Sequence, residues 1–532
     1  MVEYIAELPA RLRGAAKAEA PKAGQPLSGV GEKAGLGAVR GVNLLLMGFA
    51  YLAVGLLLRG ATLGYPIIHA DEQFYLLVGD RMLHGAVPFV DIWDRKPIGL
   101  FLLYGAIRLL GGDGILQYQL VALACVAGTS LVIYRMAREI ASPMGAWWAG
   151  VAYQLFLSAF FCFGGQAPVF YNLLMALAGL GMMVVWTAKT DRRLFLHGLA
   201  IMAVVGVSLQ IKYTVVFEGI AFGLMLMARA QALGWSHGRI LAAATGWAGV
   251  ALVPTLAAWG AYIAMGHGMA FAQANFLSIF DRHEEFDGSL FRLFKETLAL
   301  LPVWAALFLA PRQMPPMRYA ARPAQGFLRI WAAVAVAGFL LFGTWYDHYV
   351  APLLVPLMAL AAPALGRGRP FRWYTHFMLG IGMIAAAVVT IYNTRHHGTT
   401  EEIELAADMI RNAAATPTGQ GCVYINEGDP ILYHMTNACF VTRYVFPNHL
   451  NNLTEQRALG VDANSEMRAV LARRPQVVVM LETPFSKPVN WQSRQILMDG
   501  LKEHYRKFAD PFIGSRHYQL FVLKNATATP AQ

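Results

Sequence analysis

Charge is scarce in this chain: Asp, Glu, Lys and Arg make up only 14% of its 532 residues, against about 25% in a soluble globular protein. With 57% hydrophobic residues, an ordinary soluble domain is excluded. Apolar runs long enough for about 30 Å of hydrocarbon recur from residue 43 to about 393. They lack the alternation of a lipid-facing barrel strand, which leaves a polytopic α-helical membrane protein. Cysteine is rare, with four in all. Cys125 and Cys162 fall in apolar runs and read as packing residues. Cys422 and Cys439 lie in the polar C-terminal region, where a disulfide is an open alternative if that region faces an oxidising compartment. No G-x-G-x-x-G or Walker sequence and no internal repeat is found, and residues 1–41 contain no cleavage site after an apolar core.

The net charge of +11 is not gathered into the stripe that nucleic acid requires, so no nucleic-acid partner is expected. Basic residues instead cluster in short connections: Arg135 and Arg138; Lys189, Arg192 and Arg193; Arg229 and Arg239; Arg312, Arg318, Arg322 and Arg329; Arg367, Arg369 and Arg372. That is the positive-inside pattern. If 43–60 runs outward, all these clusters fall inside only when the Arg108-interrupted segment 98–111 does not cross. At about 1.5 Å per residue that segment reaches only some 20 Å, which suits an interfacial helix.

Spans are then expected at 43–60, 115–137, 143–163, 169–187, 193–210, 212–231, 240–263, 294–311, 326–343, 349–366 and 373–393, about eleven in all. The predicted order is a disordered cytoplasmic tail (1–41), a transmembrane domain (42–393) with its first outer loop at 61–114, and a periplasmic domain (394–532). The last alternates strand-like runs (CVYIN, QVVVML, YQLFVLK) with helical patterns (465–474 and 493–508) and reads as a small α/β domain. Its simplest role is a lid or docking module, since fold alone assigns no chemistry.

The first outer loop breaks the rule of scarce charge. Residues 69–101, HADEQFYLLVGDRMLHGAVPFVDIWDRKPIGLF, hold Asp71, Glu72, Asp80, Arg81, Asp91, Asp94, Arg95 and Lys96. Acids near lipid are functional or salt-bridged, because burial without a partner costs several kcal/mol. The spacing after Asp71 is helical and places Tyr75 one turn on, on the same face. Asp71 at a helix start fits a capping residue as well as a reactive carboxylate. Arg95 and Lys96 suit a phosphate at the membrane surface, or equally snorkel to headgroups.

The array DEQFY, then GAVPFVDIWDRKP, then an apolar helix resembles the first outer loop of GT-C-type glycosyltransferases, specifically the protein O-mannosyltransferase and aminoarabinose-transferase-like group. VSLQIKYT at 207–214 and DHYVAPLLVP at 347–356 agree with it. The resemblance covers 43 to about 393 and implies a transferase using a polyprenyl-phosphate sugar in a bacterial inner membrane. It implies Asp71 as catalytic acid of the D-E pair, Glu72 as its partner, Tyr75 as the tyrosine of D-E-x-x-Y and Lys96 as the lysine of K-P-P; Glu72, Tyr75 and Lys96, and with them Asp94, are expected at the substrate. The chain departs from the pattern with Arg95 before the lysine, KPI for K-P-P, and Gln166 and Asn172 where relatives carry an acid.

The residues allow the same chemistry. Transfer needs a base for the acceptor hydroxyl and cations at the departing phosphate. Asp71 is expected as base, with Lys96 and Arg95 at the phosphate. Without a second carboxylate nucleophile, single displacement inverts the anomeric centre. Lys212, His348 and Tyr349 sit at outer span ends, as ligands to donor or as interfacial anchors. The loop DRHEEFDG, with His283, Glu284, Glu285 and Asp287, offers hard ligands for a divalent cation but reads better as solvated charge. No cofactor is required. The expected partners are the lipid-linked donor, membrane lipids, and a cell-envelope lipid, polysaccharide or protein acceptor. The rival reading is a transporter or flippase of lipid-linked sugars, which would carry its charges near the bilayer midplane.

Overall fold

A computed structural model describes residues 33–186, 190–281, 288–309, 321–366, 372–416 and 419–524. Most of the 1–41 tail, His283, Glu284, Glu285 and Asp287 of the candidate cation loop, and part of the basic clusters therefore lie outside the described residues. Among those described, nine helices are long and apolar enough to cross a membrane. The chain is a polytopic helical membrane protein.

The bundle comprises α1 (Lys33–Arg59), α4 (Ile115–Ala137), α5 (Pro143–Ala159), α6 (Ala167–Trp186), α7 (Asp191–Leu209), α8 (Val216–Ala232), α9 (His237–Ala264), α13 (Ala321–Phe342), α14 (Ala351–Leu365) and α15 (Arg372–His397). Cross-links sort the helix ends into two groups. At one end Arg59 donates to Cys162 O at 2.8 Å, Tyr262 to Pro88 O at 3.0 Å and Asn393 to Ile68 O at 3.0 Å. At the other, Arg239 pairs with Asp191 at 2.6 Å.

Two expected spans differ. The segment 143–163 is a helix of 17 residues ending at Ala159; at 1.5 Å per residue it covers about 25 Å, and its sides are buried among its neighbours. The segment 294–311 is not one helix. It divides at Leu300 into α11 (Ser289–Ala299) and α12 (Leu301–Leu309). Pro302 has no N–H to continue the ladder. Lys295 of α11 is tied to Asp347 at 2.5 Å, while Phe291 (70%) and Phe294 (63%) are exposed. An exposed apolar stripe beside anchored cations is the pattern of an interfacial helix.

The first loop folds as α2 (Ala70–Leu83) and α3 (Ile98–Arg108). Only 11 residues long, α3 spans about 16 Å and cannot cross. It lies on α2, where a Cβ on Gly79 would meet Gly105 N at 2.6 Å, so glycine permits the approach. Arg108, which interrupts the apolar run, donates to Asp80 at 2.8 Å.

Beyond the bundle, α16 (Thr400–Ala414) leads into β1 (Ala415–Thr416), β2 (Gly419–Gln420), β3 (Val423–Ile425), α17 (Ile431–Thr436), α18 (Ala463–Ala472), β4 (Val477–Leu481), α19 (Trp491–His504), β5 (Tyr505–Ala509), β6 (Phe512–Ile513) and β7 (Arg516–Leu523). The sheet runs β3-β4-β7-β5, with β6 also on β7. Strand β3 is parallel to β4, and the β4–β7 and β7–β5 pairs are antiparallel. Every residue of the central β4 is buried, in keeping with its continuous apolar run. The helix expected over 493–508 stops at His504, because Tyr505 pairs with Leu523 and begins a strand instead. Cys422 and Cys439 are joined by a disulfide, while Cys125 and Cys162 are free.

Candidate active site

The cap of α2 is His69, not Asp71: the His69 side chain accepts the Asp71 N–H at 3.2 Å. The same Nδ1 meets Gln166 Nε2 at 2.7 Å. Accepting both donors leaves His69 neutral with its proton on Nε2; burial, the largest influence, likewise lowers its basicity. Asp71, released from capping, turns its carboxylate to Lys96 Nζ at 3.2 Å and to Gln166 Nε2 at 3.2 Å. Burial pushes the Asp71 carboxyl up, but the Lys96 ammonium, with the Gln166 hydrogen bond beside it, outweighs burial and holds the group below the ordinary range.

Lys96 reaches Asp71 because Asp94 shapes the backbone before it. Asp94 Oδ1 accepts the N–H of Arg95 at 2.7 Å and of Lys96 at 2.8 Å. The two cations then part. Lys96 turns inward, 3.4 Å from Asp94 Oδ2 and over the rings of Tyr75 and Phe446, each at 5.2 Å. Arg95 turns to the C-terminal domain and pairs with Glu455 at 2.6 Å. The expected Arg95–Lys96 clamp is therefore divided: Lys96 faces Asp71, and Arg95 is engaged elsewhere.

Glu72 points away from Asp71 and into the protein. Its Oε2 accepts the Gly165 N–H at 2.7 Å. A Cβ on Gly164 would press on that carboxylate, so glycine leaves room for it. Burial pushes the Glu72 carboxyl up to about 8. Arg59 holds the other end of the same turn through Cys162 O. The turn so clamped delivers Gln166 to Asp71. Asn172, in contrast, is buried and donates to Tyr153 Oη at 3.1 Å and Ala351 O at 2.9 Å.

The late-span residues come to the same place. His348 lies 6.0 Å from His69, ring to ring, and 4.6 Å from Tyr349. Lys212 Nζ stands 5.1 Å from the Tyr349 ring. No carboxylate lies within ion-pairing distance of Lys212 among the described residues, and Lys96 is near enough for the two charges to repel. Lys212 and Tyr349 head a mostly apolar, partly open groove between helices, lined by Tyr171, Phe217, Phe339 and Phe342 with Glu218 among them. Among the described residues no three His, Cys, Asp or Glu side chains group as metal ligands.

The sequence reading missed His69, Phe446, His449 and Glu455. His69 carried a weak signal, a polar residue just before the helical run. The other three, more than 340 positions downstream of Lys96, carried none.

No family model and no curated protein matches the sequence. Solved structures do. ArnT from Cupriavidus metallidurans in its apo state superposes with a TM-score of 0.58 at 17% identity, over 93% of this chain and 100% of that one. The same protein bound to undecaprenyl phosphate gives 0.57 at 16% identity, over 92% and 99%. The archaeal oligosaccharyltransferase AglB from Archaeoglobus fulgidus, in complex with an inhibitory peptide and a dolichol-phosphate, gives 0.53 at 13%, over 88% and 73%. The chain shares the fold of these structures over most of its length, as the resemblance in its first loop implies.

Proposed function

We propose that this protein is a membrane glycosyltransferase that moves a sugar from a polyprenyl-phosphate donor to a cell-envelope acceptor, on the periplasmic face of a bacterial inner membrane. The observation that carries the reading is Lys96 held between Asp71 and Asp94 at 3.2 and 3.4 Å, close to Lys212 at the head of an apolar groove. The groove suits a prenyl chain and the two lysines its phosphate. Similar structures hold undecaprenyl phosphate or dolichol-phosphate.

In the proposed step the acceptor oxygen forms a bond to the anomeric carbon as the bond to the phosphate oxygen breaks. The acceptor proton passes to the Asp71 carboxylate. The lipid phosphate leaves with an added negative charge, which Lys96 and Lys212 meet. As Lys96 turns to that charge it loosens from Asp71, which becomes more basic just as the proton arrives. Asp71 attacks no carbon itself, and the anomeric centre inverts. Two lysines at one phosphate supply the charge that a divalent cation supplies elsewhere, so no metal is needed for this step. Glu72 and Tyr75 act from behind, on the Gln166 turn and on Lys96, while Arg95 and Asp94 shape the loop. His348 and Tyr349 face the sugar or the phosphate.

The test is transfer in vitro from a panel of polyprenyl-phosphate sugars to envelope acceptors, comparing native protein with Asp71→Asn. Loss of transfer in the variant supports the reading; full activity removes Asp71 as the base. Movement of lipid-linked sugar across vesicles without a new glycosidic bond would establish the flippase instead.

A further inference from the structure

We propose that segment 443–455 of the C-terminal domain forms a wall of the active site, with His449 a positioning residue that keeps Lys96 shared between Asp94 and Asp71. The inference rests on the glycosyltransferase reading above.

Four consecutive residues of the first loop each take a partner from this segment. Trp93 donates its N–H to Arg443 O at 2.9 Å. Asp94 Oδ2 lies 3.8 Å from His449 Nε2. Arg95 pairs with Glu455 at 2.6 Å. Lys96 stands 5.2 Å over the Phe446 ring. The Trp93 indole is moreover built into the core of the C-terminal domain, with Tyr444, Leu450 and Val478. The segment is thus folded against the loop and does not merely rest on it.

His449 is 3% exposed. Its ring is boxed by Trp93 at 4.7 Å, Phe446 at 5.4 Å, and Phe74 and Tyr444 at 6.2 Å each. The charged groups facing it are Asp94 from the loop, Arg95 and Lys96 beside that, and Glu455 from its own segment. So confined, the imidazole blocks the Asp94 carboxylate from rotating away from Lys96.

That restraint matters because the two carboxylates compete for one ammonium. If Asp94 turned aside, Lys96 would collapse onto Asp71. A carboxylate locked in an undivided ion pair takes no proton from an acceptor, and an ammonium so locked meets no phosphate. Sharing keeps both groups available.

The experiment uses the full-length protein in lipid nanodiscs and reads kcat and KM for transfer, together with binding of undecaprenyl phosphate without acceptor. For His449→Ala, kcat should fall about a hundredfold with KM for the acceptor unchanged, as expected of a displaced catalytic group. His449→Gln, which keeps a polar side chain of similar reach against Asp94, should recover about tenfold of that loss. Undecaprenyl phosphate should bind His449→Ala more weakly than the native protein. Equal loss in both variants would reduce His449 to a packing residue, and native kcat in His449→Ala would overturn the proposal outright. If His449→Ala does not fold, Phe446→Leu applies the same test by loosening the box: a lowered kcat supports the proposal and a native one overturns it. Full transfer by Asp71→Asn would instead overturn the underlying reading, whatever His449 does.

Discussion

The two ends of the bundle use charge in opposite ways. At the end remote from the site, Arg239 and Asp191 form a pair whose side chains are 52% and 47% exposed. At the site end four pairs are enclosed, two within the first loop (Asp71 with Lys96, Asp80 with Arg108) and two that join distant parts of the chain (Arg95 with Glu455, Asp429 with Arg516). Exposed charge of the first kind orients a membrane protein and contributes little to stability. Enclosed charge of the second kind is costly unless every member is matched, and breaking one pair leaves its partner stranded. The comparison marks where the proposed chemistry would be arranged.

Substitutions at both ends can break that comparison. The largest effect is expected at Lys96. Lys96→Met leaves Asp71 and Asp94 facing each other and removes charge at the phosphate, so kcat should fall about a thousandfold in the transfer assay. Native turnover would show that the enclosed pair is structural. Next is Arg81, which holds the C-terminal domain through Asn437 Oδ1 at 2.6 Å, Ala438 O at 3.0 Å and Tyr433 O at 3.2 Å. Losing this fork in Arg81→Ala should cost about 2 kcal/mol in denaturant unfolding, through stranded carbonyls and not through lost chemistry.

Glu72 sharpens the comparison through pH. The folded protein keeps its proton up to about 8, against an ordinary value of 4.5. Between those values the native state binds more protons than the unfolded one, so stability falls as pH rises across that window. Glu72→Gln, which can still accept the Gly165 N–H, should flatten that slope in thermal unfolding and retain transfer. Glu72→Ala should release the Gln166 turn and lower kcat. A slope unchanged in Glu72→Gln would place the proton elsewhere. The smallest effect belongs to the remote end: Arg239→Ala should shift unfolding by no more than about 0.5 kcal/mol and leave transfer alone.

Much of the site was legible because its parts lie close in sequence. Asp71 and Lys96 occupy one loop, and helical spacing from Asp71 brings Tyr75 alongside. The short α3 followed from Arg108 and from the parity of the basic connections. What failed to read were features set by partners far away. Arg95 looked equivalent to Lys96 until Glu455, 360 residues on, claimed it. Asp71 fitted a cap as well as a reactive carboxylate until His69 took the capping role, where it meets Gln166 from the turn before α6. The segment 294–311 passed for a span by hydropathy, which does not register that Pro302 ends the ladder or that Asp347 anchors Lys295.

By itself the sequence determined the membrane class, the order of apolar helices and the concentration of acids and cations in one connection. These rest on local quantities: hydropathy over about 20 residues, a 3.6-residue period and the sign of short loops. Only the tertiary structure decided which lysine faces Asp71, that Glu72 lies inward and favours its proton, and that Phe446 and His449 of the C-terminal domain reach Lys96 and Asp94. Each is an ion pair, a hydrogen bond or a ring contact that forms only once separate segments have packed. Its strength depends on distance and burial, and neither exists until the chain has packed.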